Sequence, residues 1–205
     1  FHPGSLLCGS IPDSSLLIFH LHPHSIHSMR AVTLHSHRLL LRPWDPSDAP
    51  DLYLLASDPE VGPRAGWTPH SSVEESRTII SSLFSNSTTW AVVLRQSGTL
   101  VGAIGYGPSV TCLLPCRSGE PIVGYWIGKE FWNRGICTEA LQTVVHYART
   151  QTSLTSLLCG HFTDNPASGR VMQKCGFVPT GDIVQDPSLP AGDHRDIRVL
   201  RLELR

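Results

Sequence analysis

The chain has 205 residues, 40% of them hydrophobic, enough to bury one sizeable core in a single domain or a domain plus an arm. Its 16 basic and 17 acidic side chains leave a net charge of −1, which argues against the basic face of an electrostatic nucleic-acid binder, and no apolar run is long enough to span a membrane. The six cysteines (Cys8, Cys112, Cys116, Cys137, Cys159, Cys175) lack zinc-ligand spacing, so no metal is expected and free thiols in a reducing cytoplasm are the simpler reading.

Residues 1–33 read as an N-terminal arm outside the domain. Seven of the eleven histidines lie at or before His37, in a run such as HLHPHSIHS, and Met29 is the expected natural start. The apolar SLLIF (Ser15 to Phe19) has no positive region before it and no small-residue cleavage site after it, so it is a poor secretory signal.

From Leu34 to Arg205 the punctuation is that of one domain. RLLLRPW predicts a strand ended by Pro43, and PSDAPDLYLLASD a short helix opened by Ser47 and Asp48. PEVGPRAGWTPH, rich in Pro and Gly, reads as a loop carrying Trp67. SSVEESRTIISSLF predicts a helix capped by Ser71 or Ser72, with Glu74 or Glu75 closing a capping box. TWAVVLR and LVGAIGYG are strands of a hairpin turned at QSGT. The long connection PSVTCLLPCRSGEP leads into the strand PIVGYWIG. Next come the helix GICTEALQTVVHYAR, the strand LTSLLCGHF, the short helix NPASGRVMQKCG, a strand start at FVPTG and a last strand DIRVLRLEL. This order predicts an α/β or α+β fold with a mixed sheet.

The helix after Gly135 places Ile136, Ala140, Leu141, Val144, Val145 and Ala148 on one face, which must pack on the sheet. Its N-terminus then emerges beyond the end of PIVGYWIG, where unpaired N–H groups and the helix dipole suit an anion. Gly135 lets backbone approach that anion, and Arg134 adds charge. A plain strand-to-helix turn needs the same glycine, so the turn alone does not decide between the two.

GYWIGKEFWNRGICTEAL followed by NPASGRVMQKCGF closely resembles the GNAT superfamily of acyl-CoA-dependent N-acyltransferases, and within it the Rim-type branch that acetylates the N-termini of ribosomal proteins. The residues that carry the resemblance are Gly124 to Trp126, Trp132 to Ala140, Asn165, Ser168, Lys174, Gly176 and Phe177. It extends from about Leu34 to the C-terminus. The resemblance implies a central twisted mixed sheet with a splayed strand pair, flanked by helices, with acetyl-CoA as co-substrate. It implies a pyrophosphate cradle made of Arg134, Gly135, Ile136, Cys137 and Thr138, pantetheine contacts from the main chain of Trp126, Ile127 and Gly128, and a further cofactor contact from Asn165. PIVGYWIG and LTSLLCGHF should then be adjacent, parallel and diverging.

The implied chemistry is direct attack of an amine on the thioester, with a backbone N–H near Ile127 polarising the carbonyl. Met172 stands where many members have a proton-donating tyrosine, so Ser168 is the candidate acid, although NPAS is also a good first helical turn. Glu120 and Asp186 are candidate bases, and each also reads as a solvated loop acid. Glu139, inside a helix, reads as structural, and Cys137 as a small tolerated residue rather than a nucleophile. At about pH 7.5 an α-amine of pKa ~7.8 is roughly a third neutral, against about 0.1% for a lysine of pKa ~10.4. Without a strong base, a protein or peptide N-terminus is the better acceptor. A small free amine (an antibiotic, polyamine or amino acid) is the alternative, as is an acyl-CoA-binding module without catalysis. No nucleic-acid or membrane partner is expected, and the chain is expected to be a monomer or homodimer.

Overall fold

A computed structural model describes residues 32–108, 114–185 and 195–205. The expected arm lies almost wholly outside them, as does Asp186. The buried indole of Trp90 donates to the carbonyl of Val32 at 2.7 Å.

The described strands form one mixed sheet in the order β1-β2-β3-β4-β5-β6-β8-β7. Strands β1 (Leu34–His35), β2 (Leu39–Arg42), β3 (Thr89–Leu94), β4 (Leu100–Pro108) and β5 (Pro121–Ile127) run as an antiparallel meander. β6 (Ser156–Phe162) joins β5 in parallel, and β8 (Asp196–Glu203) lies between β6 and β7 (Val178–Gln185). The parallel step requires a crossover, and α4 (Ile136–Gln151) supplies it.

Helices α1 (Ala49–Ala56), α2 (Val61–Ala65) and α3 (Val73–Ile79) precede the β3–β4 hairpin, and α5 (Pro166–Lys174) follows β6. Ser72 caps α3 by accepting the Glu75 amide at 3.1 Å, while the Glu75 carboxylate receives the Ser71 amide at 2.6 Å. Successive β5 side chains point to opposite faces. Tyr125 reaches α5, whereas Trp126 meets Trp67, which follows α2, edge-on at 5.6 Å. The two faces of the sheet are thereby covered by different helices. The α4 residues buried on the sheet are Ile136, Ala140, Leu141, Val144, Val145 and Ala148, the face read from the 3.6-residue period.

One local expectation needs correction. PEVGPRAGWTPH is not all loop, because α2 occupies its centre. Pro63 is tolerated in that first turn, where an N–H has no helical partner in any case. Gly62 has no Cβ to collide with the Trp67 carbonyl, which would lie 2.6 Å away, so Trp67 folds back over the helix.

Candidate active site

β5 and β6 share a single ladder position, Ile122 with Leu158, and then part. Between them opens a cleft of about 540 Å³, lined by both strands and by the first turns of α4 and α5. At the closed end, Glu120 is buried and receives Arg201 Nε at 2.8 Å, Ser156 Oγ at 2.6 Å and the Arg117 amide at 3.0 Å. These bonds tie the start of β5 to β6 and β8. The strands are pinned where they converge and free where they splay.

Backbone alternation decides which amides face the gap. The Gly128 N–H bonds the Val101 carbonyl at 2.9 Å, and Trp126 is registered opposite Ala103. With a two-residue alternation, Trp126 and Gly128 therefore spend their N–H groups on β4, while Tyr125 and Ile127 direct theirs toward the cleft. This bears on the expected pantetheine contacts. Of Trp126, Ile127 and Gly128, only Ile127 offers its main chain to the gap, and its carbonyl already receives Trp132 Nε1 at 2.6 Å. The Trp126 side chain still lines the cleft, but Gly128 does not.

The turn before α4 carries two residues in the left-handed region, Asn133 at φ 61° and Gly135 at φ 72°. Asparagine tolerates that conformation through its short polar side chain, and glycine enters it freely. Gly135 is the helix N-cap and supplies no side-chain bond, unlike Ser72 of α3 or Asn165 of α5. The N–H groups of Gly135, Ile136, Cys137 and Thr138 are consequently left without helical or side-chain caps, and all four residues line the cleft. Arg134 does not line it. Its guanidinium lies 5.7 Å from the Phe131 ring, and its carbonyl accepts Arg38 Nη1 at 3.0 Å.

That last bond belongs to a clamp. Glu139 accepts Ser36 Oγ at 2.7 Å, the Arg38 amide at 2.7 Å and Arg38 Nε at 2.6 Å, joining the β1–β2 turn to the first turn of α4. Burial alone would raise the Glu139 pKa, but these bonds outweigh it and hold the carboxyl below its ordinary value. Glu139→Ala is expected to cost about 1–2 kcal/mol, less than three charge-assisted bonds in isolation, because solvent screens the 44% exposed Arg38 side chain. Thermal melts of the variant check this.

Asn165 caps α5 by accepting the Ser168 amide at 3.3 Å and donates to the Arg64 carbonyl at 3.1 Å. Ser168 lines the cleft, and its Oγ lies 3.0 Å from the Tyr125 hydroxyl. Tyr125 and His161 also line the cleft and were missed in the sequence. The signal was available, since both lie two residues from other lining positions on their own strands.

Among the described residues, no Asp or Glu lines the cleft. Glu120 is buried rather than solvated, and it does not line the cleft. Burial would raise its pKa, but Arg201, Ser156 and the Arg117 amide together bring it below the ordinary carboxylate range. The thiols nearby are poor nucleophiles for the same reason of burial. It pushes Cys137 far up, Cys159 up to about 12 and Cys175 up to about 11.

The family model described as the acetyltransferase (GNAT) domain matches residues 38–178. An uncharacterized N-acetyltransferase, p20 of Bacillus licheniformis, is 25% identical over 154 residues, covering 73% of this chain and 84% of that protein. The crystal structure of a GNAT-family acetyltransferase from Bacillus anthracis superposes with a TM-score of 0.73 at 19% identity, over 84% of this chain and 99% of the other. RimL, a ribosomal L7/L12 α-N-protein acetyltransferase solved with coenzyme A, gives a TM-score of 0.67 at 18% identity, over 84% and 98%. The likeness is one of fold and does not single out the ribosomal-protein branch.

Proposed function

The chain belongs to the GNAT acetyltransferase family, and from that premise we propose that it transfers the acetyl group of acetyl-CoA to an α-amine of a protein or peptide by direct attack. The observation that carries this reading is the splayed β5–β6 pair, with two strand amides aimed into the gap and an uncapped helix N-terminus at its mouth. The Gly135 to Thr138 amides would hold the pyrophosphate, and Ile127 would pair with the pantetheine arm. When bound, acetyl-CoA supplies the activated thioester. The Tyr125 and Ile127 N–H groups are the donors available to polarise its carbonyl. Ser168 gives its Oγ proton to the departing sulfur and recovers one from water, while the new amide nitrogen loses its extra proton to solvent. Asp186 is the carboxylate that still stands as a candidate base.

The bare lining favours an α-amine over a lysine or a polyamine. With no carboxylate among the described lining residues, an acceptor that is already neutral is favoured, and an α-amine is roughly a third neutral near pH 7.5. The kcat/KM for an N-terminal peptide is expected to rise about tenfold per pH unit and level off near ~7.8, the amine's own pKa. CoASH release, measured from pH 6 to 9 with an N-terminal peptide, a lysine peptide and spermidine, is the test. A lysine peptide or spermidine turned over faster than the α-amine at pH 7 would overturn the acceptor class. Acetyl-CoA binding with no release for any amine would make the chain a binding module.

A further inference from the structure

Resting on this acetyl-transfer reading, we propose that Tyr125 is a positioning residue that holds and polarises the Ser168 hydroxyl at the cleft. The Tyr125 hydroxyl lies 3.0 Å from the Ser168 carbonyl and 3.0 Å from Ser168 Oγ. A carbonyl can only accept, so the single phenolic proton goes to it. The Ser168 Oγ–H must then donate to the phenolic oxygen. A serine in the first turn of a helix commonly spends its hydroxyl on its own backbone. Here Asn165 caps the helix instead, and a strand side chain from 43 residues away takes the serine hydroxyl.

The arrangement has two settings. In the resting one, Ser168 donates to Tyr125 and Tyr125 to the carbonyl. As negative charge develops on sulfur, the Ser168 proton turns toward it, and the Tyr125 proton swings from the carbonyl to Ser168 Oγ. Tyr125 remains bonded to the serine oxygen throughout and makes it a better donor without losing its own proton. Burial, with the thiols of Cys159, Cys137 and Cys175 nearby, pushes the phenol well above its ordinary value, so Tyr125 keeps that proton across the neutral range.

Tyr125→Phe removes one oxygen and leaves the ring packing in place. The readout is the thiol pKa of bound CoASH, followed by thiolate ultraviolet absorbance, because it requires neither the natural acceptor nor turnover. Losing one neutral hydrogen bond behind the donor is expected to raise that pKa by roughly 0.5–1 and to lower kcat about three- to tenfold, with CoASH affinity nearly unchanged. In a Ser168→Ala background the same change should have no further effect. Tyr125→Phe with wild-type thiol pKa overturns the assignment, and so does an effect fully additive with Ser168→Ala. Failure of the unaltered chain to bind CoASH overturns the acetyl-transfer reading itself, and the assignment with it.

Discussion

Gly135→Val is expected to lower acetyl-CoA affinity by more than about a hundredfold while the domain remains folded. Gly135 sits at φ 72°, a conformation that a β-branched residue resists. Space is not the obstacle, since the nearest atom to an added Cβ is Arg38 Nη2 at 3.6 Å. The obstacle is that valine must either accept left-handed strain of about 1–2 kcal/mol or pull the turn to negative φ. In the second case the amides of Gly135 to Thr138 no longer converge. In the first, an isopropyl group stands where, on the proposed reading, phosphate oxygens would approach the backbone. Each charge-assisted bond is worth about 1.5–3 kcal/mol, so losing two removes roughly 3–6 kcal/mol. The site is exposed, and the fold loses only the strain. Calorimetric titration beside a thermal melt checks both halves, and near-native affinity would show that the glycine serves only the turn.

Glu120→Ala is expected to act on the other term, stability. Its carboxylate is 1% exposed and paired with Arg201, which is itself 17% exposed, so removal takes the counter-charge from a guanidinium that keeps its bond to the Pro115 carbonyl, and the acceptor from the Ser156 hydroxyl. Breaking such a pair costs about 3–5 kcal/mol, a large share of the total stability of a domain this size. At about 2–4 °C per kcal/mol, the melting temperature should fall by roughly 6–20 °C. Acetyl-CoA affinity should survive below the transition, because Glu120 does not line the cleft. A general base would show the reverse: an unmoved melt and a collapsed kcat. The sign of the pH effect follows from the depressed folded pKa of Glu120. Its contribution is fully present above the unfolded carboxylate value and is lost as pH falls through the lower, folded one. Wild type should therefore lose stability on acidification more steeply than the variant.

Much of the fold was legible because it rests on local periods. The buried face of α4, the Ser72 cap, the QSGT hairpin and the parallel divergence of β5 from β6 all follow from spacing, turn chemistry and the resemblance. The α2 helix was hidden because Gly62 and Pro63 announce a loop, and only the return of Trp67 over the helix explains why glycine is there. Which of the Trp126 to Gly128 amides faces the gap was illegible for a related reason. A strand residue's amide points to one neighbour or the other, and the register with β4 decides which.

The sequence by itself determined the elements other than α2, the buried face of α4 and the bare turn at Gly135, since these depend on residues within a few positions of one another. What each charged or hydroxyl group does was decided by tertiary structure. Glu120 meets Arg201 across 81 residues, Glu139 meets Arg38 across 101, and Ser168 meets Tyr125 across 43. Periods of 2 and 3.6 carry no information about which distant segment will lie within 3 Å. A carboxylate reads alike in sequence whether it is a solvated acid, a base or a buried pin, because burial and a partner within hydrogen-bonding distance set its role and its pKa.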